Sequence, residues 1–187
     1  MEVVINKEYP HLGGNILGGD PNSWHPFVWM YLIYKFSPSS IFDMGCGEGH
    51  LMSYFHDKGI NVYGSDGLLQ NKKSSPNRIR DYMQIHDYNK GAMEPVPVDM
   101  TISCEFVEHI EAKYIKNIMP QFRSSKVVVF THAVAGQDGY HHVNCQDDGY
   151  WIRLMILKGF RYEKTSTTLA RVIAGDSHWK TILIFTL

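Results

Sequence analysis

The most specific chemistry in this chain of 187 residues lies in Ile41 to His50, read as IFDMGCGEGH. Glycines at 45, 47 and 49 stand between an apolar run and an amphipathic one. There the chain must turn tightly and the next helix must start open to a ligand. A dinucleotide fold asks for GxGxxG, and the sixth position here is His50. A phosphate loop asks for GxxxxGK[ST], and no lysine follows Gly49. The spacing is instead DxGxGxG, with Asp43 two residues before the first glycine. A carboxylate there repels a pyrophosphate and suits a cationic amino group. Asp66, at the end of the next apolar run, can accept both hydroxyls of a ribose.

A nucleoside with a positively charged, amino-acid-bearing arm meets both demands, and S-adenosylmethionine is that molecule. On these residues the chain resembles the class I S-adenosylmethionine-dependent methyltransferases, over roughly residues 38–187. The resemblance implies that the segment from Asp43 through Gly45, Cys46 and Gly47 to Gly49 wraps the methionine part of the cofactor. It implies ribose contact at Asp66, an apolar contact to adenine at Leu68 and an acidic contact to the adenine amino group at Asp87. Gly67, Tyr88 and Cys104 complete the expected cofactor set. The implied fold is α/β and Rossmann-like, a mostly parallel seven-stranded sheet with helices on both faces and a C-terminal antiparallel strand.

The acceptor side is less specific. Ile102 to Ile110 (ISCEFVEHI) resembles the family's segment after the fourth strand, where a glutamate-histidine pair is frequent. Glu105, Glu108 and His109 either face the ligand edge or cap the following helix. The ExxEH pattern also resembles a metal-binding arrangement in small-RNA 2′-O-methyltransferases, with His142 as the later histidine. The same letters occur in metal-free relatives, and no metal is assigned. His132 follows an apolar run and could deprotonate a hydroxyl acceptor, since its ordinary pKa of about 6.5 leaves it partly neutral; the alternative is a loop histidine bonded to backbone. His141 and His142 are adjacent and in an extended segment face opposite ways; the resemblance favours His142. The expected catalytic set is therefore His132, His142, His109 and Glu105. Methyl transfer from a sulfonium needs alignment more than a base.

The elements that must position these groups read in order. Proline and apolar residues from Pro26 to Lys35 give a helix capped by Asn22 or Ser23. Ser40–Met44 is a strand, Leu51–Lys58 a helix stopped by Gly59, and Ile60–Ser65 a second strand, one βαβ unit. A short helix fits around Leu68–Lys72, a third strand spans Arg80–Ile85, and a fourth spans Met100–Cys104. Glu111–Arg123 reads as a helix with Ala112, Ile115, Ile118, Met119 and Phe122 inward. Val127–Phe130 suits a strand buried on both faces. A helix from Asp147 or Asp148 to Gly159 and strands near Phe160–Lys164 and Thr181–Phe185 follow. Residues 1–37 form an arm and first helix, and 38–187 the cofactor-binding domain. Within the arm Tyr9, His11, Asn15, Asp20, Trp24 and His25 could cover an acceptor, or the segment simply covers the sheet edge.

Lysine plus arginine number 18 against 19 for aspartate plus glutamate, so net charge argues for neither nucleic acid nor anionic membrane. Lys72, Lys73, Arg78 and Arg80 read as a solvated loop. No NPPY-type or DPPY-type tetrapeptide follows Cys104, which also disfavours a nucleic-acid acceptor. Cys46, Cys104 and Cys145 show no paired spacing, against a disulfide scaffold or structural zinc. Glu2, Lys7 and Glu8 interrupt the N-terminus, and no apolar stretch approaches the ~20 residues of a membrane span. The expectation is a cytoplasmic enzyme without a membrane partner, methylating a hydroxyl or amine of a small metabolite or sugar. The alternatives are a catalytically inactive S-adenosylmethionine-binding partner and an NAD-dependent oxidoreductase. The latter lacks both the sixth-position glycine and a TyrxxxLys pair.

Overall fold

The computed structural model describes residues 3–187; Glu2 and the first residue of the arm lie outside the described residues. The arm opens as an antiparallel pair, β1 (Val3–Ile5) and β2 (Gly13–Ile16). Helix α1 (Pro26–Phe36) follows, then β3 (Ser40–Met44), α2 (His50–His56), β4 (Asn61–Asp66), α3 (Leu69–Ser74), α4 (Asn77–Arg80) and β5 (Met83–Ile85). Next come β6 (Val98–Ser103), two 3-10 turns at Val107–His109 and Ala112–Asn117, α5 (Met119–Arg123) and β7 (Ser125–Phe130). The chain ends with α6 (Asp148–Leu157), β8 (Arg161–Tyr162), α7 (Lys164–Ala174), a 3-10 turn at His178–Thr181 and β9 (Leu183–Thr186).

Seven strands form one sheet in the order β5-β4-β3-β6-β7-β9-β8. The first five are mutually parallel, and β9 runs antiparallel to both β7 and β8. Strand side chains alternate between faces, so Ile41, Val127 and Val129 join the core under α1, α2 and α7. Phe42, Met44, Val128 and Phe130 join the core under α5 and α6. Burial on both faces explains the uninterrupted apolar runs. Strand β3 pairs with β4 on one side and β6 on the other. Chain order reverses there, and the crevice beyond the strands' C-terminal ends is where such sheets bind ligands.

Four local expectations are corrected. The N-cap of α1 is His25, whose Nδ1 accepts from the Val28 amide at 3.3 Å, in place of Asn22 or Ser23. Residues 77–80 are helical, so the third strand starts only at Met83; the turn after Pro76 drops Ile79 into the core. The Glu111–Arg123 helix is split, because Pro120 in the first turn of α5 has no N–H to continue one ladder, and Ala112 is exposed. Helix α7 has no counterpart in the sequence reading. It buries small Ser166, Thr167, Ala170 and Ala174, and leaves Leu169 and Val172 in solvent. Its outward stripe therefore reverses the usual apolar-in signal.

Candidate functional site

A cavity of about 770 Å³ opens at the C-terminal ends of β3, β4 and β6, roofed by residues of the arm. The glycine turn forms one wall. The amides of Gly45 and Cys46 both donate to the Ser65 carbonyl, at 2.9 and 3.0 Å, folding the turn back onto β4. Gly45 has φ +75°, and a β-carbon there would collide with the Phe106 ring. No other residue fits that backbone at that distance from its neighbour.

Two carboxylates flank this turn, Asp43 buried and Asp66 half-buried. Burial pushes the Asp43 carboxyl up to about 8, and the nearby Asp66 charge adds to the rise. Asp66 Oδ2 accepts from the Gly47 amide at 2.9 Å, and Oδ1 accepts from the Leu68 amide at 2.8 Å and Asn71 Nδ2 at 2.9 Å. Burial still raises its pKa to about 6 against those three donors. Gly67, Leu68, Asp87, Tyr88, Cys46 and Cys104 line the same cavity. Burial pushes both thiols well up, so neither is a ready thiolate. Tyr88 Oη shares a 3.0 Å hydrogen bond with Ser65 Oγ. Asp87 pairs with His11 Nε2 of the arm at 2.8 Å and accepts from the Asn89 amide. Burial pushes Asp87 up, but these bonds and the His11 and Lys90 charges outweigh it and hold the carboxyl below its usual range.

The facing wall begins at Glu105, just past β6, where φ is +50°. Its Oε1 accepts from Thr131 Oγ1 at 2.8 Å, and its Oε2 lies 3.3 Å from His178 Nδ1. His178 also lies 3.6 Å from Asp20 of the arm. Glu108 is fully buried, and neither carboxylate oxygen has a hydrogen-bond partner. Burial, reinforced by the Glu105 charge, pushes its pKa well up. One donor atom each from Glu108, His109 and His142 fall within 4.8 Å of one another. The amides of Val143 and Asn144 donate to the Glu108 carbonyl at 3.0 and 2.9 Å, which holds the loop carrying His142 here. Burial and the neighbouring His142 and His141 lower the His109 pKa to about 4, leaving a neutral imidazole.

No protein-family model matches the chain, and no curated protein matches it. Solved structures do. Magnesium protoporphyrin IX methyltransferase (ChlM) from Synechocystis PCC 6803, with bound SAM, superposes with a TM-score of 0.61 at 15% identity, covering 85% of this chain and 75% of that one. A SAM-dependent methyltransferase from Archaeoglobus fulgidus gives 0.60 at 14% identity, covering 86% and 91%. The methyltransferase domain of bacterial CtHen1-CN gives 0.54 at 14% identity, covering 85% and 95%. The fold is that of the class I methyltransferases.

Within this methyltransferase fold, most of the expected site residues line the same cavity: every cofactor residue except Gly49, which is buried against Ile79, with Glu105, His109 and His142. His132 does not. It is fully buried, its Nε2 lies 2.9 Å from Asp148 Oδ1, and Asp148 accepts two further bonds from Arg171, at 2.7 and 2.9 Å. That network fixes the start of α6 against α7 and keeps the imidazole from the cavity, a position that does not suit a general base. In the arm, His11, Asn15, Asp20 and Trp24 line the cavity, Tyr9 does not, and His25 is spent on capping α1. Three further residues, Asn71, Glu48 and His178, line the cavity without a motif that marks them in the sequence. Asn71 bridges Asp66 to Asn15 of the arm, and Glu48 accepts from the Gly18 amide at 3.2 Å. His178 lies in a segment with no motif, and only folding brings it to Glu105.

Proposed function

We propose that the chain transfers a methyl group from S-adenosylmethionine to a small acceptor, a hydroxyl or amine of a metabolite or sugar. The observation that carries this is a pair of carboxylates, buried Asp43 and half-buried Asp66, on one wall of a cavity whose other wall is Glu105, His109 and His142. When bound, S-adenosylmethionine supplies an electrophilic methyl on a sulfonium. Asp43 would meet its ammonium, a cation that favours the ionised carboxylate. Asp66 would accept from the ribose hydroxyls while its three donors keep it in place, and Leu68 would cover the adenine. The arm closes the cavity through the His11–Asp87 and Asn15–Asn71 bonds and limits the size of acceptor. His142 and Glu105 stand on the wall where an acceptor proton would leave.

A second reading is favoured by one observation: Glu108 is a buried carboxylate with no partner beside two histidines. A buried carboxyl with no hydrogen-bond partner is costly, and ligating a cation would relieve that cost. Glu108, His109 and His142 would hold a divalent cation, which would polarise an acceptor hydroxyl and ease loss of its proton. This observation weighs against the expectation that no metal is used. It also alters the expected donor set, since Glu105 is turned to Thr131 and His178. Two imidazoles and one carboxylate suit manganese or zinc better than magnesium.

Calorimetry with S-adenosylmethionine, its demethylated product and NAD tests the first reading. Binding of the first two and none of NAD is expected, and a preference for NAD would sink it. Titration of the protein with manganese tests the second; binding that persists in Glu108→Ala would remove it.

A further inference from the structure

Helices α1 and α7 turn an apolar surface outward. On α1 the outward stripe is Phe27, Met30 and Tyr34, which are 72%, 54% and 87% exposed. On α7 it is Leu169, Val172 and Ile173, at 50%, 75% and 37%. Spacings of three and four residues put each set on one face of its helix.

The two stripes adjoin. Tyr31 Oη of α1 donates to the Ser166 carbonyl of α7 at 3.2 Å, so the helices lie side by side. Arg171 leaves the opposite flank of α7 to reach Asp148 of α6, which puts Leu169 and Ile173 on the flank facing α1. No charged side chain stands between the six residues along either stripe; Lys35 and Lys164 lie at the ends. Side chains of these sizes at these exposures leave on the order of 700 Å² of accessible surface. A patch of that size exceeds what a monomer ordinarily leaves to water, and it comes close to the roughly 800 Å² that each partner contributes to a standard interface.

We propose that this α1–α7 face is a homodimer interface, covered by the same face of a second copy about a twofold axis. Apolar composition without charge is the character of interfaces between identical subunits, whereas transient partners meet over more polar surfaces. A flat pair of adjacent helices is self-complementary under a twofold rotation. The interface has a consequence for the cavity. Helix α1 follows directly from Trp24 of the arm, and α7 leads into His178 and Trp179, all three of which line the cavity. Trp24, Trp29 and Trp179 stack edge-on in series, at 4.8 and 6.3 Å between centroids. Covering α1 and α7 therefore braces both ends of the acceptor wall.

Sedimentation equilibrium of the full chain, with and without Tyr34→Glu plus Val172→Glu, tests this. The wild type is expected to be a dimer at micromolar concentration, and the double variant a monomer whose dimer dissociation constant is weaker by a hundredfold or more. Circular dichroism checks that the variant is folded; should it not fold, Phe27→Lys alone serves the same purpose. A monomeric wild type at 100-fold higher concentration overturns the proposal, and so does a folded variant that remains dimeric.

Discussion

The two walls of the cavity are held by different means. The glycine-turn wall is built from residues 43–88, where Asp66 accepts from three donors and Asp87 from two. The acceptor wall gathers Asp20 from the arm, Glu105 to His109 from beyond β6, His142 from beyond β7 and His178 from before β9. Its most buried carboxylate, Glu108, has no hydrogen-bond partner among the described residues. A wall whose carboxylates at Asp66 and Asp87 already have donors is ready for its ligand. A wall with an orphaned carboxyl group is completed by what it binds.

The largest effect that would test this contrast is at Gly45. Valine there meets the Phe106 ring and a positive φ together, so binding of the demethylated cofactor should weaken more than about 100-fold, some 3 kcal/mol or more. Unchanged binding in a folded variant would place the cofactor away from the turn. Asp66→Ala comes next. Loss of a charged acceptor of ribose hydroxyls costs about 1.5–3 kcal/mol, tenfold or more in the dissociation constant by calorimetry. Because Asp66 also ties Gly47 to Asn71, a loss confined to melting temperature would make it a structural brace only.

The pH dependence of cofactor affinity follows from Asp43. Its pKa of about 8 without ligand lies above the ordinary 3.8, so folding favours the protonated form. Its contribution to stability is full below about pH 4 and is lost as pH rises through 8. A cationic ammonium reverses that preference. Affinity should fall about tenfold per pH unit below 8, more steeply under 6 where Asp66 joins, and decline again as the ligand's amino group deprotonates. A flat profile between pH 6 and 8 would separate Asp43 from the ammonium. The smallest effect on binding belongs to His132→Gln, which should cost about 1–3 kcal/mol of stability through its buried bond to Asp148, with cofactor affinity unchanged. A variant of full stability that loses turnover would restore His132 to the chemistry.

Legibility followed the same division. Strand β3 was read to the residue, and β7 and α6 nearly so, because their burial patterns repeat in the sequence as apolar runs or helical spacing. Helix α7 was missed because its small residues face the core and its large apolar ones face water. The strand expected over Arg80–Ile85 forms only at Met83–Ile85, because Arg80 closes the single helical turn that buries Ile79. His132 was placed at the ligand edge by chain order, which cannot say toward which side of the strand end an imidazole turns.

The sequence by itself determined the DxGxGxG turn, its distance to Asp66 and the alternation of strands with helices, and these carry the α/β fold and the glycine-turn wall. The reason is that each rests on near neighbours: a positive φ that glycine accepts, a strand of period two, a helix of period 3.6. Tertiary structure alone decided which histidines face the cavity, that Glu105 leaves Glu108 for Thr131 and His178, and that α1 and α7 present one apolar face. Those outcomes depend on side chains tens to more than a hundred residues apart, brought together by burial, whose free energy is fixed by the whole core and by no local pattern.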